Sequence, residues 1–149
     1  MELKVKLLSP RLGKDIPLPR YATDGAAAMD LCACIDEPCT LSPGGRALLP
    51  TGIAIALPDA SYVALIYARS GLSVKHGVCL SNSVGVIDSD YRGEIRVGLV
   101  NLGDEPYTIH GGDRIAQLLI APVIRPEVAF VEELDETARG AGGFGSTGR

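Results

Sequence analysis

Tryptophan is absent from this 149-residue chain, phenylalanine occurs twice and tyrosine five times. With so few rings available, its core must be packed by Val, Ile, Leu and Ala. A basic excess is missing as well, since the net charge is −4, with fourteen Lys and Arg against eighteen Asp and Glu. A general grip on nucleic acid needs a basic face and is not expected; one phosphorylated small molecule needs only a few local cations. The four cysteines, Cys32, Cys34, Cys39 and Cys79, form no CxxC pair and lack matching histidine spacing, which argues against a structural zinc. No long apolar run occurs either. The longest, IAQLLIAPVI at 115–124, is well short of the ~20 residues a membrane-spanning helix requires. The opening MELKVKLLSP alternates charge with apolar residues and lacks the apolar centre of a secretory signal. A soluble cytoplasmic protein with reduced thiols and no membrane contact is the expectation.

What is present points to a single globular domain. Hydrophobic residues make up 46% of the chain and charged residues 21%, and the length suffices for a real core. Eighteen Gly and ten Pro imply frequent turns and short elements, which favours an all-β fold. Leu3, Val5 and Leu7 alternate with Lys4 and Lys6, the period of a half-buried strand. After the prolines at 10, 17 and 19, ALLP and IAIALP read as two short strands joined tightly, and YVALIY at 62–67 as another. VCLSNSVGVIDSDYRGEIRVGLVNL reads as a hairpin followed by a longer return strand. YTIH, the run 114–120 and VAFVEEL complete the strands. SGLSVKH at 70–76 is the one helical stretch, with Ser70 as a good N-cap and Lys75 and His76 suited to its end. The expected architecture is a distorted β-barrel or jelly-roll-like domain over residues 1–135, with one short helix and a flexible arm at 136–149.

The chain closes with RGAGGFGSTGR, five glycines among eleven residues. Such a stretch buries too little apolar surface to offset its ordering entropy and reads first as a mobile tail. Phe144, however, is a large apolar side chain of no use to a solubilising tail, and Arg139 carries the planar fork that suits phosphate oxygens. Gly140 to Thr147 half matches the phosphate-cradling GxxxxGK(S/T) pattern, but Ser146 stands where lysine belongs and no helix can follow. A glycine-rich anion nest with a stacking ring is what remains.

Five segments stand out for chemistry: AMDL at 28–31, ARSGL at 68–72, GVIDSDYRG at 85–93, GDRIAQLL at 112–119 and RGAGGFGSTG at 139–148. In ARSGL a strand gives way to a helical turn, so free N–H groups near Ser70 and Gly71 beside Arg69 make an anion site, or an ordinary cap with a surface arginine. In GVIDSDYRG, Asp88 and Asp90 flank a turn, which serves turn chemistry as readily as catalysis. Asp113 and Arg114 read equally as a surface pair.

In order and spacing these five segments resemble the five motifs of the trimeric deoxyuridine triphosphatase (dUTPase) family, over nearly the whole chain. The resemblance implies a homotrimer of β-barrels with active sites shared between subunits, hydrolysing dUTP to dUMP and pyrophosphate with Mg²⁺. That reaction keeps uracil out of DNA and supplies dUMP for dTMP synthesis. It makes Asp88 the general base for water attacking the α-phosphorus, and gives the phosphates to Arg69, Ser70, Gly71 and Gln117. Asn82, Val86, Ile87 and Arg96 line the nucleoside pocket, and Tyr91 packs under the deoxyribose and excludes a 2′-hydroxyl. Asp30 touches the metal through water, the phosphates holding most of it. From the arm, Phe144 stacks on uracil and Arg139 meets the γ-phosphate, with Gly145, Ser146 and Thr147 as donors. Two departures, Ala28 and Met29 where the first motif usually has glycine before an apolar residue, and Ala68 where the second often begins with proline, change no chemical group. Two other readings share the fold: a dCTP deaminase-like enzyme, against which the intact GVIDSDY speaks, and a non-catalytic nucleotide-binding regulatory trimer, against which Asp88 and the arm speak.

Overall fold

The computed structural model describes residues 1–143, and its regular structure is almost wholly short antiparallel strands joined by long turns and loops. They are β1 (Lys4–Leu7), β2 (Met29–Cys32), β3 (Cys39–Leu41), β4 (Arg46–Pro50), β5 (Ile53–Ala56), β6 (Tyr62–Tyr67), β7 (Val78–Leu80), β8 (Gly85–Ile87), β9 (Arg96–Asn101), β10 (Tyr107–Ile109) and β11 (Arg114–Pro122), with α1 (Ser70–His76) after β6. Four sheets result, in the orders β2-β11-β6-β8, β4-β9-β7, β1-β5 and β10-β3. They surround one core without closing into a continuous ring, a distorted, jelly-roll-like barrel.

That core is aliphatic, as the lack of aromatic residues requires. Ile16, Leu31, Ile53, Ile95, Leu99, Ile109, Ile115 and Leu118 are each at most 1% exposed, and full burial of such a side chain contributes about 1.5–3 kcal/mol. Phe130, by contrast, is 96% exposed. The buried polar residues are satisfied internally: the Asn101 side chain donates to Leu41 O and Glu105 O at 2.9 and 2.8 Å, and Thr51 Oγ1 donates to Ile95 O at 2.6 Å.

The strand after the second glycine pair, β11, is the spine of the domain. It pairs with β2 on one side and β6 on the other, and its sequence alternates poorly because both of its faces are largely covered. Its register against β2 shifts by one residue between Arg114 and Ala116. Two residues there face the space of one on the partner, the signature of a β-bulge.

Four expectations change. β1 is exposed along its whole length, because it pairs only with β5 at the margin and lays neither face on the core. β7 and β8 do not form a hairpin with each other; β7 pairs with β9 and β8 with β6. The chain leaves one sheet for the other at Asn82-Ser83-Val84, where Ser83 has φ 65° and Val84 N donates to Asn82 O at 2.7 Å, a turn too abrupt to carry a ladder. VAFVEEL is not a strand: no strand among the described residues pairs with it, and Val128, Val131 and Leu134 are exposed. β-propensity without a partner does not make a ladder. Lastly, α1 forms as expected, but its N-cap is Arg69, with no side-chain cap bond, rather than Ser70. Its far end stops at Gly77, which adopts φ 70° and donates to Ser73 O at 3.0 Å, the left-handed ending that glycine permits.

Candidate active site

Sheet register assembles the first part of the site. Asp30 on β2 lies opposite Gln117 on β11, and Gln117 lies opposite Tyr67 on β6. Cross-strand partners project from the same face, so the three side chains form a row, and the chain runs on from Tyr67 to Arg69 at the mouth of α1. Gln117 Nε2 donates to Ala68 O at 2.9 Å, tying the row to that junction.

The Asp30 carboxylate is the hub. Its Oδ1 accepts from Arg69 Nε at 2.9 Å and its Oδ2 from Arg114 Nη1 at 3.1 Å. Arg69 Nη1 also donates to Arg114 O at 3.3 Å. Arg114 joins this group because of the bulge. Residues 114 and 117 are three apart, so an unbroken strand would send them to opposite faces; the extra residue at 115 returns Arg114 to the face of Gln117. Asp113 is not its partner: Asp113 Oδ2 instead accepts from His110 N at 2.7 Å, with His110 Nδ1 at 3.7 Å.

Around this hub opens a cleft of about 410 Å³ lined by Asp30, Tyr67, Arg69, Ser70, Gly71, Arg114 and Gln117, with a wall of Ala22 and Ala26–Ala28. Methyl side chains on that wall are what leave the space open. Two guanidinium groups, exposed Ser70 and exposed Gly71 face one concavity, an arrangement suited to a multiply charged anion. Behind Asp30, burial and then the Asp30 charge push the Cys32 thiol above its ordinary range, so Cys32 is a core residue and not a nucleophile.

Asp88 lies elsewhere. It shares a second cleft of about 430 Å³ with Val86, Asp90, Tyr62, Val63 and Arg125. Ile87 pairs with Ala64, so Asp88 falls beside Val63, six residues back from Arg69 along the β6 direction. At about 3.3 Å per residue this is roughly 20 Å. Tyr91 follows on the same loop, its N donating to Asp88 O at 3.2 Å. Asn82 is exposed on the turn between β7 and β8, Ile87 packs partly against the core, and Arg96, exposed at the start of β9, lines neither cleft.

The structure therefore brings together Asp30, Arg69, Ser70, Gly71 and Gln117, and separately Val86 and Asp88. Arg139 is exposed and its Nε donates to Gly142 O at 2.9 Å, while Phe144, Gly145, Ser146 and Thr147 lie outside the described residues. Arg114 joins the Asp30 cleft and Arg125 lines the Asp88 cleft without either being singled out by the motifs. The bulge that recruits Arg114 has no sequence signature, and Arg125 stands outside every motif.

Among the described residues no group of three or more His, Cys, Asp or Glu is placed to hold a metal ion. No helix among them is long and apolar enough to cross a membrane.

Comparison with known proteins shows the family of the chain. The dUTPase family model matches residues 14–148. The deoxyuridine 5′-triphosphate nucleotidohydrolases of Idiomarina loihiensis and Hahella chejuensis are 53% and 55% identical, over 99% and 98% of this chain and 98% and 96% of their own lengths. Among solved structures, the dUTPase of Staphylococcus bacteriophage 80alpha with dUPNHPP superposes with a TM-score of 0.85 at 31% identity, covering 99% of both chains. A mutant dUTPase from phage phi11 of S. aureus, described with a structural Mg(II) ion, superposes at 0.77 with 26% identity, over 91% of this chain and all of that one. With half of its residues shared along the full length of such relatives, the chain belongs to the dUTPase family.

Proposed function

We propose that this protein hydrolyses dUTP to dUMP and pyrophosphate by Mg²⁺-assisted attack of water on the α-phosphorus, and so lowers the supply of uracil for DNA while furnishing dUMP for dTMP synthesis. The observation that carries this reading is the cleft in which Arg69, Arg114, Ser70, Gly71 and Gln117 converge around Asp30. A triphosphate entering it meets charge-assisted donors from two arginines already fixed in position. Fixed donors need no reorganisation as charge develops on the phosphate oxygens, which is where electrostatic catalysis gains most.

The donor set fits Mg²⁺ in one particular way. Mg²⁺ retains several waters and takes substrate phosphate oxygens readily, so it does not require a cage of protein carboxylates. Each Asp30 oxygen accepts one arginine N–H and has a second lone pair left, which suits contact through a metal-bound water. When bound, the metal supplies neutralisation of phosphate charge.

Asp88 is the proposed general base. Exposed on a loop beside a cleft, it can orient one water by hydrogen bonding and take its proton. Because Asp88 and Arg69 stand roughly 20 Å apart along one chain, they serve one substrate only if a second copy brings its Asp88 to this cleft. That separation supports sites shared between copies, and the proposed assembly is a homotrimer. Asn82, Val86 and Ile87 belong to the uracil side of such a site, Tyr91 to the sugar side and Arg96 to its rim. The arm at 136–149, with Arg139, Phe144, Gly145, Ser146 and Thr147, closes over the nucleotide from outside the barrel. The cytoplasm, where dUTP is met, is the proposed location.

The test is pyrophosphate release with Mg²⁺ from dUTP, dTTP, dCTP and UTP in parallel. Release from dUTP alone is expected. No release from any of the four, with dUTP still bound, would make the protein a nucleotide-binding regulator instead.

A further inference from the structure

The loop from Asp88 to Glu94 is fastened to the body of the protein by a side chain that the motifs do not mark, beside the backbone bonds of Ile95. Glu94 Oε1 accepts the Gly52 N–H at 2.9 Å, while the Glu94 carbonyl accepts the Tyr91 hydroxyl at 3.1 Å. The next residue, Ile95, is 1% exposed, and its N–H donates to Ile53 O at 2.8 Å. Its carbonyl accepts from Thr51 N and from Thr51 Oγ1, at 3.2 and 2.6 Å. Tyr91 is therefore referenced, through Glu94, to the turn between β4 and β5.

That turn is itself rigid. Gly52 has φ 72°, and a Cβ there would lie 2.9 Å from Cys34 Sγ and 3.1 Å from Leu12 Cδ1. Its carbonyl accepts Leu8 N at 2.7 Å. At the other end, the Tyr91 ring lies across Gly93, where a Cβ would fall 2.6 Å from Tyr91 Cζ. Glycine at 93 lets the ring fold back over its own loop, and Glu94 then holds the carbonyl that the ring's hydroxyl reaches.

We propose that Glu94 is a positioning residue for sugar discrimination: its carboxylate clamps the loop to Gly52 so that the Tyr91 ring keeps a fixed height beneath the sugar and leaves no room for a 2′-hydroxyl. This rests on the reading of Tyr91 as the residue under the deoxyribose. Sugar exclusion by steric contact is only as sharp as the wall is stiff. A ring free to retreat by less than an ångström admits the extra oxygen, whereas a ring fixed at both its backbone and its hydroxyl does not.

The experiment compares kcat/KM for dUTP and UTP in the full-length protein and in Glu94→Ala, Glu94→Gln, Tyr91→Phe and Tyr91→Ala. A ratio measured on one preparation cancels the folded fraction, so a purely structural role for Glu94 would lower both rates and leave the ratio unmoved. In Glu94→Ala the preference for dUTP is expected to fall about tenfold, the size of one charge-assisted hydrogen bond, through faster UTP turnover. In Glu94→Gln, whose amide oxygen still accepts from Gly52, it returns to near the original. An unchanged ratio in Glu94→Ala overturns the inference. If Glu94→Ala does not fold, Glu94→Asp carries the test, since its carboxylate is one methylene short of the Gly52 N–H; an unchanged ratio there overturns the inference equally, and an unchanged ratio in Tyr91→Phe removes the hydroxyl-to-carbonyl contact that links the ring to Glu94. Tyr91→Ala separates the two layers: undiminished discrimination in that variant removes Tyr91 from sugar recognition, while relaxed discrimination there with none in Glu94→Ala leaves Tyr91 as the reader and removes only Glu94.

Discussion

Replacing Asp30 by alanine removes the anion between two guanidinium groups, and the structure sets the size of the effect. The Asp30 and Arg69 side chains are 20% and 24% exposed, and that of Arg114 is 53% exposed. An exposed pair is worth about 0.2–1 kcal/mol, and stripping one partner from a fully buried pair costs about 3–5 kcal/mol. The Arg69 contact sits between these limits and the Arg114 contact near the lower one, so Asp30→Ala is expected to lose about 1–2 kcal/mol. For a domain of this length that is a fall in melting temperature of about 3–6 °C. Asp30→Asn keeps an oxygen for one arginine but not the charge, and falls between. Melts must be compared at one protein concentration, because the proposed assembly would make the midpoint concentration-dependent. Raising the salt narrows the gap through the exposed Arg114 contact, which is screened first. Binding of dUTP without Mg²⁺ moves the other way: two arginines without their counterion attract the triphosphate, so that affinity holds or tightens while pyrophosphate release with Mg²⁺ slows at least tenfold. Asp30→Ala melting at or above the original temperature would refute the claim that this carboxylate holds the cleft together. A weakened affinity for metal-free dUTP would refute the electrostatic account of the cleft.

Asp88→Asn is expected to cut turnover by about 10²–10⁴-fold, the range of general-base catalysis, with dUTP binding largely intact; binding lost together with turnover would make Asp88 a structural residue. Deleting residues 139–149 is expected to cripple pyrophosphate release while leaving the melt of the barrel unchanged, and undiminished release would take the arm out of the mechanism. Gly77→Ala is expected to destabilise the protein by more than about 2 kcal/mol, because φ is 70° and the new methyl would lie 2.6 Å from Gly103 Cα. Denaturation midpoints unchanged by that substitution would contradict the close approach of α1 to the loop after β9.

Much of the chemistry was legible in the residues alone. Five ordered motifs carried the family, and of the residues they single out the structure sets Asp30, Arg69, Ser70, Gly71 and Gln117 around one cleft and Val86 and Asp88 around another. The aliphatic core followed from the scarcity of rings, and the short helix at 70–76 from its punctuation. What the residues could not convey was pairing. Period-2 alternation assigns a side chain to a face of its own strand but does not say which strand lies alongside, so VCL and GVI looked like a hairpin although each pairs elsewhere. VAFVEEL shows the same limit from the other side, having the composition of a strand without a partner among the described residues.

Two features of the site were decided only in three dimensions. The one-residue bulge in β11 turns Arg114 toward Asp30, and no local preference in GDRIAQLL marks where an extra residue is accommodated. The antiparallel register of β8 on β6 sends Asp88 to the far end of the strand that leads to Arg69. The sequence by itself determined which chemical groups are available and in what order. Tertiary structure decided which of them meet, because backbone hydrogen bonds between distant segments, and not the preferences of neighbouring residues, set strand register.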